Sequence, residues 1–307
     1  MHTAREARDV LVIGGSRYFG TRLVARLLAA GDRVTVLNRG SSPPPAAARH
    51  LIADRDDEPS LAAALAGRDF DVVVDQVCYT PRQADIARRL FTGRTRRYVM
   101  TSTVEVYEHQ DSASLVPESA VDPSTVAVDL ALPWHDADFA AAHYGEGKRQ
   151  AEAVFAAGGT GLPYVAVRVA HVLGGHDDFT GRLRHYADRL RAGDPIAVPA
   201  GNRPATYIHV EEIADFLFWA AGAGFTGPVN AASHGLLDTA GLCAAVAARL
   251  GTGRPTFRQA GAGETSPFSF HRSYGMDNSR ATALGFTFGD VRRWLPDAVA
   301  ETLGKDV

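Results

Sequence analysis

Tyr144 and Lys148 lie four residues apart in the stretch YGEGK, inside a segment patterned as a helix. One helical turn separates them, so they share a face. A tyrosine hydroxyl ordinarily titrates at about 10 and is a poor base at neutral pH. A neighbouring ammonium favours the phenolate and brings it within range of proton transfer. The pair therefore suits proton exchange with a hydroxyl or a carbonyl. The same two residues on a solvated amphipathic helix would do no chemistry, so the reading depends on what else the chain provides.

What it provides first is a glycine-rich turn. An apolar run, Val10 to Ile13, leads into Gly14, Gly15, Ser16, Arg17, Tyr18, Phe19 and Gly20, and a helical pattern with Leu23, Val24, Leu27 and Leu28 on one face follows at once. Backbone N–H groups at such a helix start, with the helix dipole behind them, hold a pyrophosphate. Gly14 permits the tight turn and Gly20 the close approach of helix to sheet, while Arg17 stands where the usual fingerprint has its middle glycine. A plain strand–helix turn is the alternative; the surrounding strand–helix–strand order favours a dinucleotide cradle. At the distance where NAD enzymes carry an acid for the adenosine ribose, this chain has Asn38 and Arg39. Nothing there repels a 2′-phosphate, and a guanidinium fork suits one, so NADP(H) is expected over NAD(H).

The elements that must position these groups alternate in type. Strands are expected at Val10–Ile13, Val34–Leu37, His50–Ile52, Val72–Asp75, Tyr98–Thr101 and Tyr164–Val169. Helices are expected at 61–66, 81–90 and 144–157, and in the last third at 182–192, 211–221, 239–250 and 290–303. This alternation implies an α/β, Rossmann-type, doubly wound parallel sheet with a smaller C-terminal substrate lobe. The expected division is a dinucleotide-binding domain at 1–170, rejoined by 204–230, and a lobe at 171–203 and 231–307. The segment 108–143, with three prolines and many acids, is too long for an inert connector and reads as an active-site flap or an insertion.

Five stretches in this order resemble the extended short-chain dehydrogenases, the sugar-nucleotide epimerase and dehydratase group: GGSRYFG at Gly14, TSTVEVY at Thr101, YGEGK at Tyr144, RVAHVLGG at Arg168 and MDNSRATALGF at Met276. The loop and the NRG at Asn38 are most similar to an epimerase-like branch that includes chloroplast RNA-binding relatives. The resemblance implies that Tyr144 exchanges the substrate proton and that Lys148 also holds the nicotinamide ribose. It implies Thr103, with Ser102 as fallback, as the hydroxyl that bonds the reacting oxygen, and Glu105 as a carboxylate able to remove a proton beside a transient ketone; Glu105 read without the resemblance is equally a solvent-facing strand residue, and on an extended strand it shares a face with Thr103. Asp54 falls where the group contacts adenine, or caps the segment after it, and Gln76 and Val77 pass under the nicotinamide ribose or simply pack the loop. His171 stands where the group commonly has a diphosphate-holding asparagine; it is a substrate ligand, an acid–base residue or a core histidine. Arg203 and Arg272 are candidates for a substrate phosphate.

Composition narrows the classes. The chain has 307 residues, 46% hydrophobic and 22% charged, with net charge −3, so no global field draws nucleic acid or an anionic membrane. No apolar run approaches the roughly 20 residues of a membrane span, and the opening MHTAREARD has no apolar leader core. Cys78 and Cys243 are far apart, which fits a reducing, cytoplasmic setting. No metal-ligand spacing, Ser-His-Asp spacing or aromatic–basic stripe for RNA is visible. The expected function is an NADP(H)-dependent epimerase or dehydratase that transiently oxidises a hydroxyl of a sugar-nucleotide or related polyol. The alternatives are an NADPH-dependent carbonyl reductase or alcohol dehydrogenase, and a non-catalytic nucleotide-sensing or RNA-binding module. The expected partner is a small molecule, phosphorylated or nucleotide-linked; a homodimer stays open.

Overall fold

The computed structural model describes residues 6–110, 112–157 and 159–304; most of the opening stretch read for a leader, and the last three residues of the C-terminal lobe, lie outside them. Eleven strands are formed among the described residues: β1 (Asp9–Ile13), β2 (Arg33–Asn38), β3 (Arg49–Ile52), β4 (Phe70–Asp75), β5 (Thr95–Thr103), β6 (Tyr164–Val169), β7 (His171–Leu173), β8 (Ile196–Val198), β9 (Tyr207–His209), β10 (Gly227–Ala231) and β11 (Phe257–Gln259). The α-helices are α1 (Phe19–Ala29), α2 (Glu58–Ala64), α3 (Pro81–Phe91), α4 (Ala137–Ala142), α5 (Tyr144–Ala157), α6 (Arg182–Ala192), α7 (Val210–Ala220), α8 (Thr239–Leu250), α9 (Ser279–Ala283) and α10 (Val291–Leu303).

Seven strands form one sheet in the order β10, β6, β5, β4, β1, β2, β3. The pairs β1–β2, β1–β4, β2–β3 and β4–β5 are parallel. Chain order reverses at β1, between β2 and β4, and a crevice opens at the carboxyl ends of the strands at such a switch point. Val10 to Ile13 are at most 1% exposed, as expected of a parallel strand covered on both faces. Leu11 and Ile13 share one core cluster with Tyr98, Met100, Ala87, Phe91, Ala151 and Phe155, drawn from β5, α3 and α5. A Cβ added at Gly15 would meet Val12 and Val24, which places α1 against the opposite face.

The chain forms two compact units, residues 1–106, 121–168 and 214–229 in one, and 107–120, 169–213 and 230–307 in the other. The first holds nearly all of the large sheet. In the second, β7 pairs in parallel with β9 and β8 with β11. Its core joins Leu183, Tyr186, Leu242, Val246, Leu295 and Val299 from α6, α8 and α10. The segment 204–213 groups with this second unit because β9 lies in it and pairs β7, and 107–120 does so because Val116 bridges Met276.

Residues 121–143 pack on α5. Gln150 Oε1 on α5 accepts the Asp129 N–H at 2.8 Å, and Trp134 Nε1 donates to the Asp129 carbonyl at 2.8 Å. A Cβ at Gly147 would lie 3.2 Å from the Trp134 ring, so glycine there lets this segment lie directly on the helix. Among the described residues no helix is long and apolar enough to cross a membrane, and no cluster of three or more His, Cys, Asp or Glu is placed to hold a metal ion.

Candidate active site

The glycine loop takes the backbone path its composition suggests. Gly14 and Gly15 have φ of 92° and 75°, and Tyr18, which caps α1, has φ 52° with no side-chain cap bond. The first N–H groups of α1 thus have no side-chain acceptor at the cap, which leaves them for an anion. A Cβ at Gly20 would lie 2.4 Å from Gln76 Oε1 and 2.7 Å from Gly15 Cα, and one at Gly14 would lie 3.1 Å from Val77 Cγ1. The loop after β1 and the end of β4 therefore meet only because these positions lack side chains, and Gln76 and Val77 sit beside the loop. Gln76 Nε2 is buried with no hydrogen-bond partner. A glycine cradle, an uncapped helix start and an orphaned amide together fit a dinucleotide, whose phosphates Gly14 to Gly20 would hold.

Asn38 ends β2, and its side chain organises the neighbouring loops. Nδ2 donates to Ser16 Oγ at 2.7 Å and to the Ser42 carbonyl at 2.8 Å, while Oδ1 accepts the Gly40 N–H at 2.7 Å. Arg17 and Arg39 are exposed beside this knot. Asp54 is exposed, and Oδ1 accepts the Asp56 N–H at 3.0 Å, closing a turn; the cap of α2 is Asp57 instead.

Lys148 is 1% exposed and its ammonium donates to the Thr101 carbonyl at 2.6 Å. It lies 5.7 Å from the ring centre of Tyr144 and 4.7 Å from that of Tyr79. Burial pushes Lys148 down to about 8, opposed by Cys78, Asp75 and Glu152 and reinforced by Arg55. The chain contains only two lysines, Lys148 and Lys305. A lysine in the interior of so arginine-rich a chain points to a role for a compact ammonium, which the broad, planar guanidinium does not fill.

Thr103 is the last residue of β5 and is buried; its Oγ1 accepts the Glu105 N–H at 3.2 Å. Ser102, the fallback, is committed elsewhere: Oγ donates to Glu152 Oε1 at 2.5 Å. Glu152 is also bonded by Arg168, Nη2 to Oε2 at 2.6 Å, and both side chains are almost fully buried. The expected alignment of Glu105 with Thr103 along an extended strand does not occur. Residues Val104 to Tyr107 form a 3-10 turn, and at three residues per turn a two-residue step no longer returns to the same face. Tyr107 is buried, with its hydroxyl donating to Asn230 Oδ1 at 2.8 Å.

Behind the strand ends lies a second buried ion pair that no motif announced. Asp75 is fully buried; it accepts from Arg55 Nη1 at 2.6 and 2.7 Å, from the Tyr98 hydroxyl at 2.5 Å and from the Val77 N–H at 3.0 Å. Burial holds the nearby Cys78 thiol up to about 12, so it is not a nucleophile. The signal for this pair, Asp75 closing an apolar strand, is shared with many structural aspartates.

In the second unit the three substrate-side candidates fall into one cluster. The His171 ring stacks on Phe270 with centres 4.9 Å apart and lies 5.3 Å from Tyr274. Arg203 is bridged to Phe270, its N–H donating to the Phe270 carbonyl at 2.7 Å. Arg272 lies 3.5 Å over the Tyr274 ring. Burial, with Arg182 and Arg272 nearby, pushes His171 down to about 3, and its buried Nε2 has no partner. A neutral imidazole of so low a basicity does not suit the acid–base role; it suits hydrogen bonding or packing.

A doubly wound sheet with a glycine cradle at its switch point and a Tyr–Lys pair whose lysine is buried against β5 defines a nicotinamide-dinucleotide protein of the short-chain dehydrogenase type. The chain belongs to the NAD dependent epimerase/dehydratase family, whose model matches residues 10–232. It is 25% identical over 230 residues to the chloroplast stem-loop binding protein of 41 kDa b of Arabidopsis thaliana, covering 69% of this chain and 54% of that one. It is 28% identical over 136 residues to 2'-dehydrokanamycin reductase of Streptomyces kanamyceticus, covering 41% of this chain and 39% of that one. The chain thus spans about half or less of the length of these curated relatives. Its fold is similar to that of the Bordetella bronchiseptica enzyme WbmG in complex with NAD, with TM-score 0.74, 17% identity and coverage of 99% and 95%. It is likewise similar to UDP-glucose 4-epimerase of Thermotoga maritima with UDP-glucose, with TM-score 0.72, 18% identity and coverage of 95% and 97%.

Proposed function

We propose that the protein is an NADP(H)-dependent epimerase or dehydratase that acts on a sugar-nucleotide or related polyol by transient oxidation of a hydroxyl. The observation that carries this reading is the buried Lys148 ammonium beside Tyr144, one helical turn apart at the end of β5. The bound cofactor supplies hydride acceptance and return. Tyr144 takes the proton of the substrate hydroxyl, Lys148 favours the phenolate that does so, and Thr103 donates a hydrogen bond to the reacting oxygen. Within the second unit, His171, Arg203 and Arg272 are the residues we read as substrate-binding, with the two guanidiniums suited to phosphate.

The preference for the phosphorylated cofactor rests on exposed Arg39 and on an Asn38 side chain already consumed by Ser16, Ser42 and Gly40. Arg39→Ala is expected to weaken NADP(H) by about 10- to 150-fold, the equivalent of a charge-assisted hydrogen bond, and to leave NAD(H) unchanged. Calorimetry with both cofactors measures it, and equal loss for the two would remove Arg39 from the 2′-phosphate.

A second reading, a one-way NADPH-dependent carbonyl reductase, is favoured by the 3-10 turn that takes Glu105 off the strand. The two separate in deuterated water. If Glu105 removes the proton beside the transient ketone, the product carries deuterium there, NADPH is not consumed, and Glu105→Gln abolishes the exchange while sparing hydride transfer. Stoichiometric NADPH consumption with an unlabelled product establishes the reductase.

A further inference from the structure

Tyr79 belongs to none of the motifs described above, yet it stands against the catalytic pair. It follows β4 by four residues, and its N–H donates to Gln83 Oε1 at 2.6 Å. Gly147 brings α5 close to it: a Cβ there would lie 2.6 Å from the Tyr79 carbonyl oxygen. The Tyr79 and Tyr144 rings are 6.2 Å apart, and the Lys148 ammonium is nearer the centre of Tyr79, at 4.7 Å, than that of Tyr144, at 5.7 Å.

The surroundings of Lys148 show why a ring face matters. An ammonium has three N–H donors, and among the described residues the hydrogen-bond acceptor of Lys148 is the Thr101 carbonyl on β5. The charged and titratable groups that face it come from three places in the chain: Asp75, Cys78 and Tyr79 at and just after the end of β4, Arg55 after β3, and Glu152 and Tyr144 on α5. Both carboxylates are already engaged, Asp75 by Arg55 and Glu152 by Arg168. Among the described residues neither carboxylate hydrogen-bonds Lys148, and the negative face of an aromatic ring adds to what stabilises this desolvated cation.

We propose that Tyr79 is a positioning residue whose ring face holds Lys148 in its charged form beside Tyr144. The proposal rests on the reading of Tyr144 and Lys148 given above and adds the residue that keeps that pair competent at neutral pH. Tyr79 is 41% exposed, so replacing it leaves the core intact. The ring and not the hydroxyl is the working part, which makes Tyr79→Phe the conservative variant and Tyr79→Leu the disruptive one.

The presence of only two lysines makes the test direct. Full-length, cofactor-free protein labelled with 13C at lysine Cε gives two signals to titrate, and Lys305→Arg assigns them. Lys148 is expected to titrate alike in the wild type and in Tyr79→Phe, and about one pH unit lower in Tyr79→Leu, the size of a desolvated cation–π contact. An unchanged titration in Tyr79→Leu, or an equal shift in Tyr79→Phe, overturns the proposal. The pH–rate profile then tests the reading beneath it. Activity that needs charged Lys148 is lost as pH rises through its pKa, so the alkaline limb of Tyr79→Leu moves down by the same amount. A shifted titration with an unmoved limb upholds the role of Tyr79 and overturns that of Lys148 in catalysis.

Discussion

The Tyr144→Phe protein is expected to fold and bind cofactor as the wild type does, and to turn over at least about 100-fold more slowly. The substitution removes one oxygen and keeps the ring that packs 6.2 Å from Tyr79 and lies near Lys148. What it removes is the group that exchanges a proton with the substrate oxygen, and positioned acid–base catalysis contributes about 10²–10⁴-fold. Thr103, at the end of β5, still donates a hydrogen bond but has no basicity to replace the phenolate. Comparing kcat with cofactor affinity decides the matter. Near-normal turnover with intact binding would take Tyr144 out of the mechanism, and loss of both together would make it a structural residue.

Glu152→Ala is expected to destabilise the protein by about 3–5 kcal/mol, the usual consequence of removing one partner of a buried ion pair. Arg168 and Glu152 are each at most 1% exposed as side chains. After the substitution the guanidinium would keep its bond to the Val121 carbonyl, at 2.8 Å, and lose the carboxylate that accepts from both Nε and Nη2. Ser102 loses its acceptor as well. The double variant Glu152→Ala, Arg168→Met should recover most of the loss, because it leaves no uncompensated charge in the interior. Urea unfolding of the two variants measures both effects. A Glu152→Ala protein as stable as the wild type would show that the pair is dispensable.

Much of the site was legible because local chemistry fixes it. The spacing of Tyr144 and Lys148 is a property of one helix, and the cradle from Gly14 to Gly20 a property of one strand–turn–helix, whose glycines take φ values that other residues resist. The parallel sheet was legible for a similar reason: strands covered on both faces are written as continuous apolar runs, as Val10–Ile13 and Val72–Val74 are. The short strands β7, β8, β9 and β11 were not, since three residues carry no period and are defined only by the partner they meet.

Side-chain partnerships distant in sequence were decided by tertiary structure alone. Arg55 finds Asp75 twenty residues on, Arg168 finds Glu152 sixteen residues back, and Ser102 is drawn from the reacting oxygen to Glu152. An extended backbone would set Glu105 on the same face as Thr103, yet the chain turns at Val104, and a local face argument fails when the backbone changes period. Tyr79 was invisible because nothing in its neighbourhood of sequence marks it. It matters only where the end of β4 and helix α5 come together over a glycine at 147, setting a buried ammonium against an aromatic face.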